Sequence, residues 1–416
     1  MQKNNKRLGD YIQEVDIRNE GLKVTNLLGL TIGKRFISSV ANTIGSDMEK
    51  YKIIRKNQFA CSMMQVRRDG KMPVSLLENV DEAIISQAYP VFEVIDESEL
   101  LPEYLMMWFS RTEFDREACF YAVGGVRGSL EWDDFLDMRL PVPPPAKQLK
   151  IVAEYKAVQN RIDLNNQLIQ KLEATAQTIY KQWFVDFEFP DENGNPYKSN
   201  GGEMVESELG EIPKGWKLGH LGDIVEDSFG GDWGKDEKTD DFSMKTFCLR
   251  GTDIQIAKKA KKENIPIRYI LEKNNYRKLA NEEIVIEISR GSPTQSTGRS
   301  VFITNEFLNY LGSNLICSNF CRVLKPKLEY PTFLYSTIQL LYGSGLFFRY
   351  ENSSNGVKNL DLSSLFVEEK IVLPPKILAK NYSAFLSSIL KYVNRIGQDI
   401  ELTDKFKIVL LSKMAK

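Results

Sequence analysis

Two long segments of the chain carry apolar residues at the heptad spacing that is typical of helices packed against each other. They cover residues 146–188 and 377–416. Each segment predicts a helix of about 40 residues, or roughly 60 Å at 1.5 Å per residue. Because a helix with a single apolar stripe has to bury it against another element, we expect the two helices to be partners.

The predicted seam contains one polar residue in the first helix, Asn165, which is expected to fix the register of the pair. The second helix has Thr403 and Lys407 in its later heptads, so we expect the pairing to fray toward its end. The predicted seam residues are Val158, Ile162, Asn165, Ile169, Leu172 and Ile179 in the first helix, and Val393, Ile396, Ile400 and Leu410 in the second.

The two remaining regions, residues 1–145 and 216–376, contain many short runs rich in β-branched and aromatic residues. Residues 91–95 and 282–289 are examples that predict strands, whereas residues 332–342 predict a helix. Each region is therefore predicted to be a mixed α/β domain.

The two halves of the chain repeat each other. The motif Arg-Leu-Gly-Asp-Tyr-Ile at residues 7–12 returns as His-Leu-Gly-Asp-Ile-Val at residues 220–225. The prolines Pro143-Pro144, just before the first long helix, fall on Pro374-Pro375 at an offset of 231 residues. Residues 189–215, rich in Gly, Pro, Asn and Glu, predict a linker. The predicted order is domain, helix, linker, domain, helix.

Composition limits the class of protein but does not indicate a function. The 416 residues are 42% apolar and 27% charged, as in a folded protein with a packed core. Net charge is −1, so bulk charge gives no support to nucleic-acid binding, and any basic surface must be local or supplied by a partner. Without a signal-peptide core or a long apolar run, the expected location is the cytoplasm. The five scattered cysteines predict reduced thiols, and no metal site is expected.

The junction of the halves is the most distinctive segment. It runs from Gln182 to Trp216, with Gln-Trp-Phe-Val-Asp-Phe-Glu-Phe-Pro at the helix exit and Leu-Gly-Glu-Ile-Pro-Lys-Gly-Trp before the second domain. Together with the repeat, it resembles specificity subunits of Type I restriction-modification enzymes, and the resemblance covers essentially the whole chain.

The resemblance implies an α+β fold in which two target-recognition domains are joined by an antiparallel coiled coil of the two long helices, as a pseudo-two-fold internal repeat. Each domain would read one half of a bipartite site in double-stranded DNA. Methyltransferase subunits, two by expectation, would dock on the helices, and a motor-nuclease restriction subunit would complete the complex. The chain itself would carry no catalytic site and no cofactor.

Readout of base edges needs Arg, Lys, Asn or Gln side chains on exposed loops. The first domain combines such residues with glycine at residues 31–36, 65–71 and 124–128. Asp69-Gly70 is a turn signal and predicts that its basic neighbours project from a hairpin tip. The predicted DNA-binding residues of this domain are Lys34, Arg35, Arg67, Arg68, Lys71 and Arg127.

In the second domain the corresponding loops are residues 289–300 and 352–360, and Lys358 matches Arg127 at the repeat offset. Basic residues on turns are more often ordinary solvated surface, so the prediction concerns the loops more than single side chains. The lysine run at residues 256–264 is open between a solvated helix surface and a strip that tracks phosphates. The predicted DNA-binding residues are Arg290, Gln295, Thr297, Arg299 and Lys358.

Two other classes of function stay open. A search for catalytic motifs finds neither the tetrad of an adenine methyltransferase nor a Walker loop. The acidic pairs at residues 133–134 and 240–241 lack the sequence context of a nuclease, so a diverged nuclease is the less favoured alternative. A scaffold whose two domains bind protein rather than DNA is the other alternative, and the near-neutral charge agrees with it.

Overall fold

A computed structural model describes residues 5–39, 47–123, 128–290, 295–354 and 356–414. These residues form helices and sheets in alternation, as expected for a mixed fold. The helices are α1 (Val66–Asp69), α2 (Pro102–Phe109), α3 (Thr112–Tyr121), α4 (Trp132–Asp137), α5 (Pro145–Phe184), α6 (Ile254–Lys258), α7 (Asn305–Leu311), α8 (Pro331–Gly343), α9 (Leu362–Glu368) and α10 (Lys376–Lys413).

The strands are short throughout. Those before α5 are β1 (Asn5–Arg7), β2 (Ile12–Val15), β3 (Leu28–Leu30), β4 (Phe36–Ser38), β5 (Lys52–Arg55), β6 (Phe59–Cys61), β7 (Val74–Leu76), β8 (Glu82–Ile85), β9 (Val91–Val94) and β10 (Arg139–Pro141). Those after it are β11 (Met204–Val205), β12 (Ile212–Pro213), β13 (Lys217–His220), β14 (Val225–Gly230), β15 (Met244–Leu249), β16 (Ile267–Ile270), β17 (Ile284–Glu287), β18 (Ser289–Arg290), β19 (Ser300–Phe302), β20 (Asn314–Cys317), β21 (Cys321–Pro326), β22 (Glu351–Ser354), β23 (Val357–Leu360) and β24 (Lys370–Leu373).

The chain divides into two compact units. The first unit is Met1–Arg161 with Thr403–Lys416, and the second is Ile162–Leu402. Each unit thus contains one globular region and a part of both long helices, α5 and α10. The domain limits predicted from the sequence, with boundaries at residues 145, 188, 215 and 376, stay a prediction.

The core of the first unit is built around the four-stranded antiparallel sheet β2-β9-β6-β7. Phe59 and Phe92 lie opposite each other on neighbouring strands of this sheet, and their rings stack at a centroid distance of 5.0 Å. Phe109 of α2 packs edge-on against both rings. Three fully buried aromatic side chains therefore join the sheet to the helical layer.

The second unit has a larger set of sheets. The four-stranded antiparallel sheet β14-β21-β17-β19 holds the fully buried strand Ile284–Glu287 at its interior. The three-stranded sheet β16-β15-β20 is mixed, because β15 pairs with β20 in parallel. A third sheet, β18-β23-β22, carries two of the loops predicted to contact DNA.

The sequence repeat has a structural counterpart in both units. The Leu-Gly-Asp motif forms a short 3-10 turn each time, with Leu8 and Leu221 completely buried. Leu8 N–H donates to the carbonyl of Met138 at 2.8 Å, and Leu221 N–H donates to that of Glu369 at 2.9 Å. The acceptors follow α4 and α9, just before the strand that leads to each long helix. In each unit, the same 3-10 turn is thus bonded to the residue that joins a short helix to the strand before the long helix.

The long helices pair in antiparallel fashion within each unit. In the first unit, Lys407 Nζ of α10 donates to Gln159 Oε1 of α5 at 2.6 Å. In the second unit, Asn165 Nδ2 donates to Asp399 Oδ2 at 2.8 Å, and Tyr180 packs on Tyr382. Residue numbers rise on one helix as they fall on the other, as in an antiparallel coiled coil.

All ten predicted seam residues are at least half-buried, and five of them are buried. Ile162, Ile169, Val393, Ile396 and Ile400 are buried. The remaining seam residues, Val158, Asn165, Leu172, Ile179 and Leu410, are half-buried.

Two details of the seam differ from the prediction. At the end of α10, Leu411 is buried rather than Leu410, since a straight α-helix drifts out of a strict seven-residue repeat. The expected fraying was wrong, because α10 continues to Lys413 and Lys407 is bonded to α5.

Candidate nucleic-acid interface

Two of the predicted loops of the first domain, residues 31–36 and 65–71, are attached to one element, helix α3. From the loop between β3 and β4, Lys34 Nζ lies 2.8 Å from Asp115 Oδ1 of α3. The same carboxylate accepts from the N–H of Met72, at 3.1 Å, directly after the second loop. Further along α3, the thiol of Cys119 donates to the carbonyl of Val66 at 3.4 Å. Asp115 therefore ties two predicted DNA-contacting loops together.

Lys34 is an internal anchor in this arrangement. Its side chain is 9% exposed, and its ammonium group lies 4.8 Å from the centre of the Phe114 ring. Burial lowers the pKa of Lys34, although Asp115 counteracts this effect. The residue also adopts a left-handed backbone conformation, with φ of 60°, that L residues rarely adopt. The contacts of Lys34 explain its burial, and a DNA contact by this side chain stays a prediction.

The second loop contacts Gly128, the last residue of the third loop. Arg67 N–H donates to the carbonyl of Gly128 at 3.4 Å. A Cβ atom on Gly128 would lie only 2.5 Å from Arg67 Cβ, so this close approach requires glycine. Val123 and Ser129 exchange two backbone hydrogen bonds and close the base of the third loop. Arg127, which was also predicted to contact DNA, lies outside the described residues.

The second loop is a short helix rather than the predicted hairpin. Val66–Asp69 forms α1, and Gly70 follows it with φ of 64°. The prediction failed because a glycine in the left-handed region ends a helix as readily as it makes a hairpin turn. The consequence for exposure is small: Arg35, Arg67, Arg68 and Lys71 are all exposed. Arg68 pairs with its neighbour Asp69 at 2.6 Å.

An exposed aromatic pair lies at the end of α3. Phe120 is 81% exposed and packs edge-on against Tyr121. Sequence reasoning missed both this pair and Asp115. A helical pattern does not show which apolar residue lacks a partner, and it does not reveal an ion pair with a distant loop.

In the second domain, the sheet β18-β23-β22 joins the two predicted loops. Arg290 stands opposite Lys358 in the register of β18 and β23. Lys358 Nζ lies 3.0 Å from Glu351 Oε2 of β22 and also over the ring of Phe348. Two loops that are distant in sequence thus share one small antiparallel sheet.

Glu351 is the centre of this arrangement. Its other oxygen, Oε1, accepts from the backbone N–H of Thr297 at 2.5 Å and from the Thr297 hydroxyl at 3.0 Å. Burial acts to raise the pKa of Glu351, but the hydrogen bonds from Thr297 and Lys358 outweigh it, so the pKa is lowered. The carboxylate stays ionised and holds the two loops together.

Three of the five predicted contacts in this domain are engaged internally. Arg299 donates to both carboxylate oxygens of Glu287, at 2.8 Å and 2.6 Å. Thr297 is completely buried, and Lys358 is paired as described. Their contacts to DNA stay predictions, whereas their contacts within the chain shape the loops.

Arg290 and Gln295 are differently placed. Gln295 is exposed. Arg290 is half-buried, and among the described residues its buried Nη1 has no hydrogen-bond partner. Leaving a buried donor of a charged group unpaired costs free energy. Arg290 is therefore a candidate to donate a hydrogen bond to an acceptor outside the chain.

Lysines of the run at residues 256–264 contact other parts of the second unit, so the run is not simply a solvated helix surface, and a phosphate-tracking role stays a prediction. Lys258 Nζ donates to Gln339 Oε1 at 2.7 Å, and Lys259 Nζ lies 3.4 Å from Asn166 Oδ1 of α5. Burial lowers the pKa of Lys258. Lys262 lies over the ring of Tyr310. These three lysines are therefore contacts within the second unit.

Within the described ranges, no group of three or more His, Cys, Asp or Glu side chains is placed to hold a metal ion. All five cysteines are free thiols, and burial raises the pKa of Cys321 to about 12. No helix in these ranges has the length and apolar character needed to cross a membrane.

Comparison with known proteins adds a family. A sequence profile of the Type I restriction modification DNA specificity domain matches residues 27–174. The specificity subunit of the Type I restriction enzyme MjaIX of Methanocaldococcus jannaschii is 29% identical over 133 residues, which cover 32% of this chain and 29% of that protein. The HindI specificity subunit of Haemophilus influenzae is 24% identical over 188 residues, which cover 44% of this chain and 40% of that protein. The matches thus span well under half of either relative.

The fold agrees over a greater length. The crystal structure of a Type I restriction-modification system S subunit from M. genitalium is similar with a TM-score of 0.56. The similarity covers 100% of this chain and 97% of that one, at 14% sequence identity. Residues 27–174 are therefore similar to the DNA specificity domain of Type I restriction-modification systems, and the chain has the fold of an S subunit from such a system.

Proposed function

We propose that this chain is the DNA sequence-recognition subunit of a Type I restriction-modification complex. Two target-recognition domains, residues 1–145 and 216–376, each read one half of a bipartite site in double-stranded DNA. The long helices set the spacing of the half-sites. Catalysis belongs to the partners: methyltransferase subunits, two in number, and a motor-nuclease restriction subunit. The complex works in the cytoplasm.

The observation that carries the proposal is the repeat. Each unit has its own core, its own Leu-Gly-Asp turn and its own strand leading into a long helix. Two copies of one unit on a pair of helices suit a target with two separate parts. A single compact binding site would not need the duplication.

The chemistry of the loops supports DNA as the ligand. In the first domain, exposed Arg35, Arg67 and Lys71 stand on loops that α3 and Asp115 hold in place. In the second domain, Nη1 of Arg290 has no hydrogen-bond partner among the residues that the structure describes. Arginine and lysine donate to guanine edges and to phosphates, and rigid support reduces the entropy lost on binding.

Exposed apolar side chains on α10 support the docking of partner subunits. Leu402 is 58% exposed, and Phe406 and Ile408 are also exposed. A helix that already buries one stripe in its partner does not need these residues for pairing. Methyltransferase subunits that cover them would also add the basic surface that a chain with a net charge of −1 lacks.

The experiment is selection of random duplexes by the chain purified together with its methyltransferase subunits, followed by sequencing. We expect a single enriched motif made of two defined halves and a spacer of fixed length but free sequence. Binding should weaken steeply as salt rises, because phosphate contacts release counterions. A stable complex that enriches no motif would instead support the protein scaffold, and metal-dependent DNA cleavage by the chain alone would support the diverged nuclease.

A further inference from the structure

The second domain is attached to α10 by a specific contact that the sequence did not predict. On the domain side it consists of residues 258–262, which we call the clamp segment. On the helix side it consists of Asn394, Gly397 and Glu401, which we call the clamp face. The spacing of three and four residues places all three on one face of α10.

The closest approach is between two backbones. A Cβ atom on Gly397 would lie 1.8 Å from the carbonyl oxygen of Lys259 and 2.7 Å from its carbonyl carbon. Real Cβ atoms do not come this near, so the clamp segment has to move before any side chain fits at this position. Glycine is present here because the backbone of the domain touches the helix.

Two buried polar side chains flank this glycine. Asn394 is 3% exposed, and its Nδ2 donates to the carbonyl of Lys258 at 3.2 Å. Its Oδ1 is bonded to the hydroxyl of Thr304, which caps α7 of the same domain. Glu401 is 2% exposed, and its Oε2 accepts from the N–H of Lys262 at 3.0 Å. Both ends of the clamp segment are therefore held by directional hydrogen bonds.

The other side of the clamp segment lies in the core of the domain. Ala260 is completely buried in the apolar cluster that contains Ile254 and Leu315. It adopts a left-handed conformation with φ of 48°, which L residues rarely adopt. A strained backbone held between a domain core and a helix leaves little freedom for the domain to rotate on α10.

We propose that Asn394, Gly397 and Glu401 are positioning residues that fix the second target-recognition domain on α10 and so determine which half-site spacing is accepted. The inference rests on the proposed function. One base pair of spacer changes the position of a half-site by about 3.4 Å and by about a tenth of a helical turn. A domain that is free to tilt would tolerate such a change, whereas a clamped domain would reject it.

The test uses the full chain assembled with its methyltransferase subunits. Duplexes carry the two half-sites selected by the wild type, with the spacer at its selected length or one base pair shorter or longer. Relative binding to the three duplexes gives the spacing preference. Glu401→Ala removes the acceptor for Lys262 N–H, and Gly397→Ala displaces the clamp segment. Loss of one buried hydrogen bond is expected to reduce the preference by about fivefold to tenfold.

Two further variants make the result specific. Glu401→Gln keeps a carbonyl oxygen for Lys262 N–H and is expected to retain the wild-type preference. Arg395→Ala changes an exposed residue of the same helix and is expected to have no effect. If the Gly397→Ala chain does not assemble with its partners, the two variants Glu401→Ala and Glu401→Gln still test whether this hydrogen bond affects the spacing preference.

The outcomes separate the two proposals. Absence of any bipartite motif for the wild type would overturn the proposed function. A bipartite motif with an unchanged spacing preference in Glu401→Ala would overturn the positioning role. A change in the preferred bases of either half-site would also contradict it, because the clamp segment acts on placement and lies outside the predicted base-reading loops at residues 289–300 and 352–360.

Discussion

The two units hold the paired helices by different chemistry. In the first unit, Val152 of α5 and Leu411 of α10 join the domain core as aliphatic side chains, with Met414 just after α10. In the second unit, Tyr180 and Phe184 of α5 and Tyr382 of α10 form an aromatic cluster with Phe333 of the domain. A repeated fold thus does not require the same side chains at the helix contacts, provided that each unit buries its own apolar surface.

The polar contacts differ in the same way. In the first unit, Gln148 is completely buried and bonds to the backbone of Glu99, Leu101 and Pro143. Its repeat equivalent is Ala379, which is buried and has no side-chain polar group. The second unit uses the clamp segment instead, at a different place on α10. Different substitutions are therefore expected to weaken the contacts between domain and helices in the two units.

The largest expected effect is that of Tyr382→Ala. This side chain is completely buried, packs on Tyr180 and Phe184, and shares a hydrogen bond with Ser336. Loss of a buried aromatic side chain leaves a cavity, so we expect about 4 kcal/mol lower free energy of unfolding for the second unit. Hydrogen exchange of peptides from each unit measures this separately, and the exposed Tyr392→Ala is the control. Equal loss of protection in both units would contradict the comparison.

Gln148→Ala should weaken the first unit instead. It leaves one backbone N–H and two carbonyls without their partner, at a cost of about 2 to 3 kcal/mol. We expect faster exchange in the peptides around Glu99 and Leu101, with the second unit unchanged. The exposed Gln170→Ala serves as the control. No change in those peptides would show that the aliphatic contacts suffice.

Alkaline pH should act more strongly on the second unit. Burial raises the pKa of Cys248 and Cys321 to about 12, and it also raises the pKa values of Cys317, Tyr180, Tyr335 and Tyr382. In the first unit, burial raises the pKa of Cys61, and it raises the pKa of Tyr104 to about 12.

The direction in which stability changes with pH follows from proton binding. Above about pH 9 for thiols and pH 10 for phenols, the unfolded chain releases protons that the folded chain retains, so stability falls as pH rises. Each group contributes about 1.4 kcal/mol per pH unit in this range. We expect exchange at pH 10 to 11, corrected for intrinsic rates, to increase first in the second unit. Earlier opening of the first unit would contradict the account.

The smallest effect is expected for Lys407→Ala. This residue bonds to Gln159 and lies over the Tyr155 ring in the first unit, and it is only partly buried. Such contacts are worth about 0.5 to 1 kcal/mol. Thermal unfolding followed by circular dichroism should show a small decrease in Tm, and the exposed Lys413→Ala should show none. A large decrease would mean that this pair fixes the helix register.

Local sequence patterns were sufficient to predict the long helices, but they were insufficient to predict contacts between residues that are distant in sequence. Heptad spacing predicted both long helices, and the repeat predicted two similar units, because each signal lies in residues close together in sequence. The ion pair of Lys34 with Asp115, the role of Glu351 and the clamp at Gly397 depend on segments that only the fold brings together. No periodicity encodes such a partner, so lysines that the sequence offered as DNA contacts turned out to be internally bonded.

The central claim is that each domain reads its own half of one target. Its most direct test is to express the chain with its methyltransferase subunits in a host that lacks other N6-adenine methylation and to map N6-methyladenine by single-molecule sequencing. The account predicts one bipartite motif, altered in a single half by joint replacement of Arg67, Arg68 and Lys71 with alanine. Replacement of Arg290 and Gln295 should alter the other half only. Replacement of the exposed Lys23, Lys50 and Lys56, which belong to none of the predicted loops, is the charge-matched control. Changes in both halves from either set, or methylation without a motif, would contradict the account.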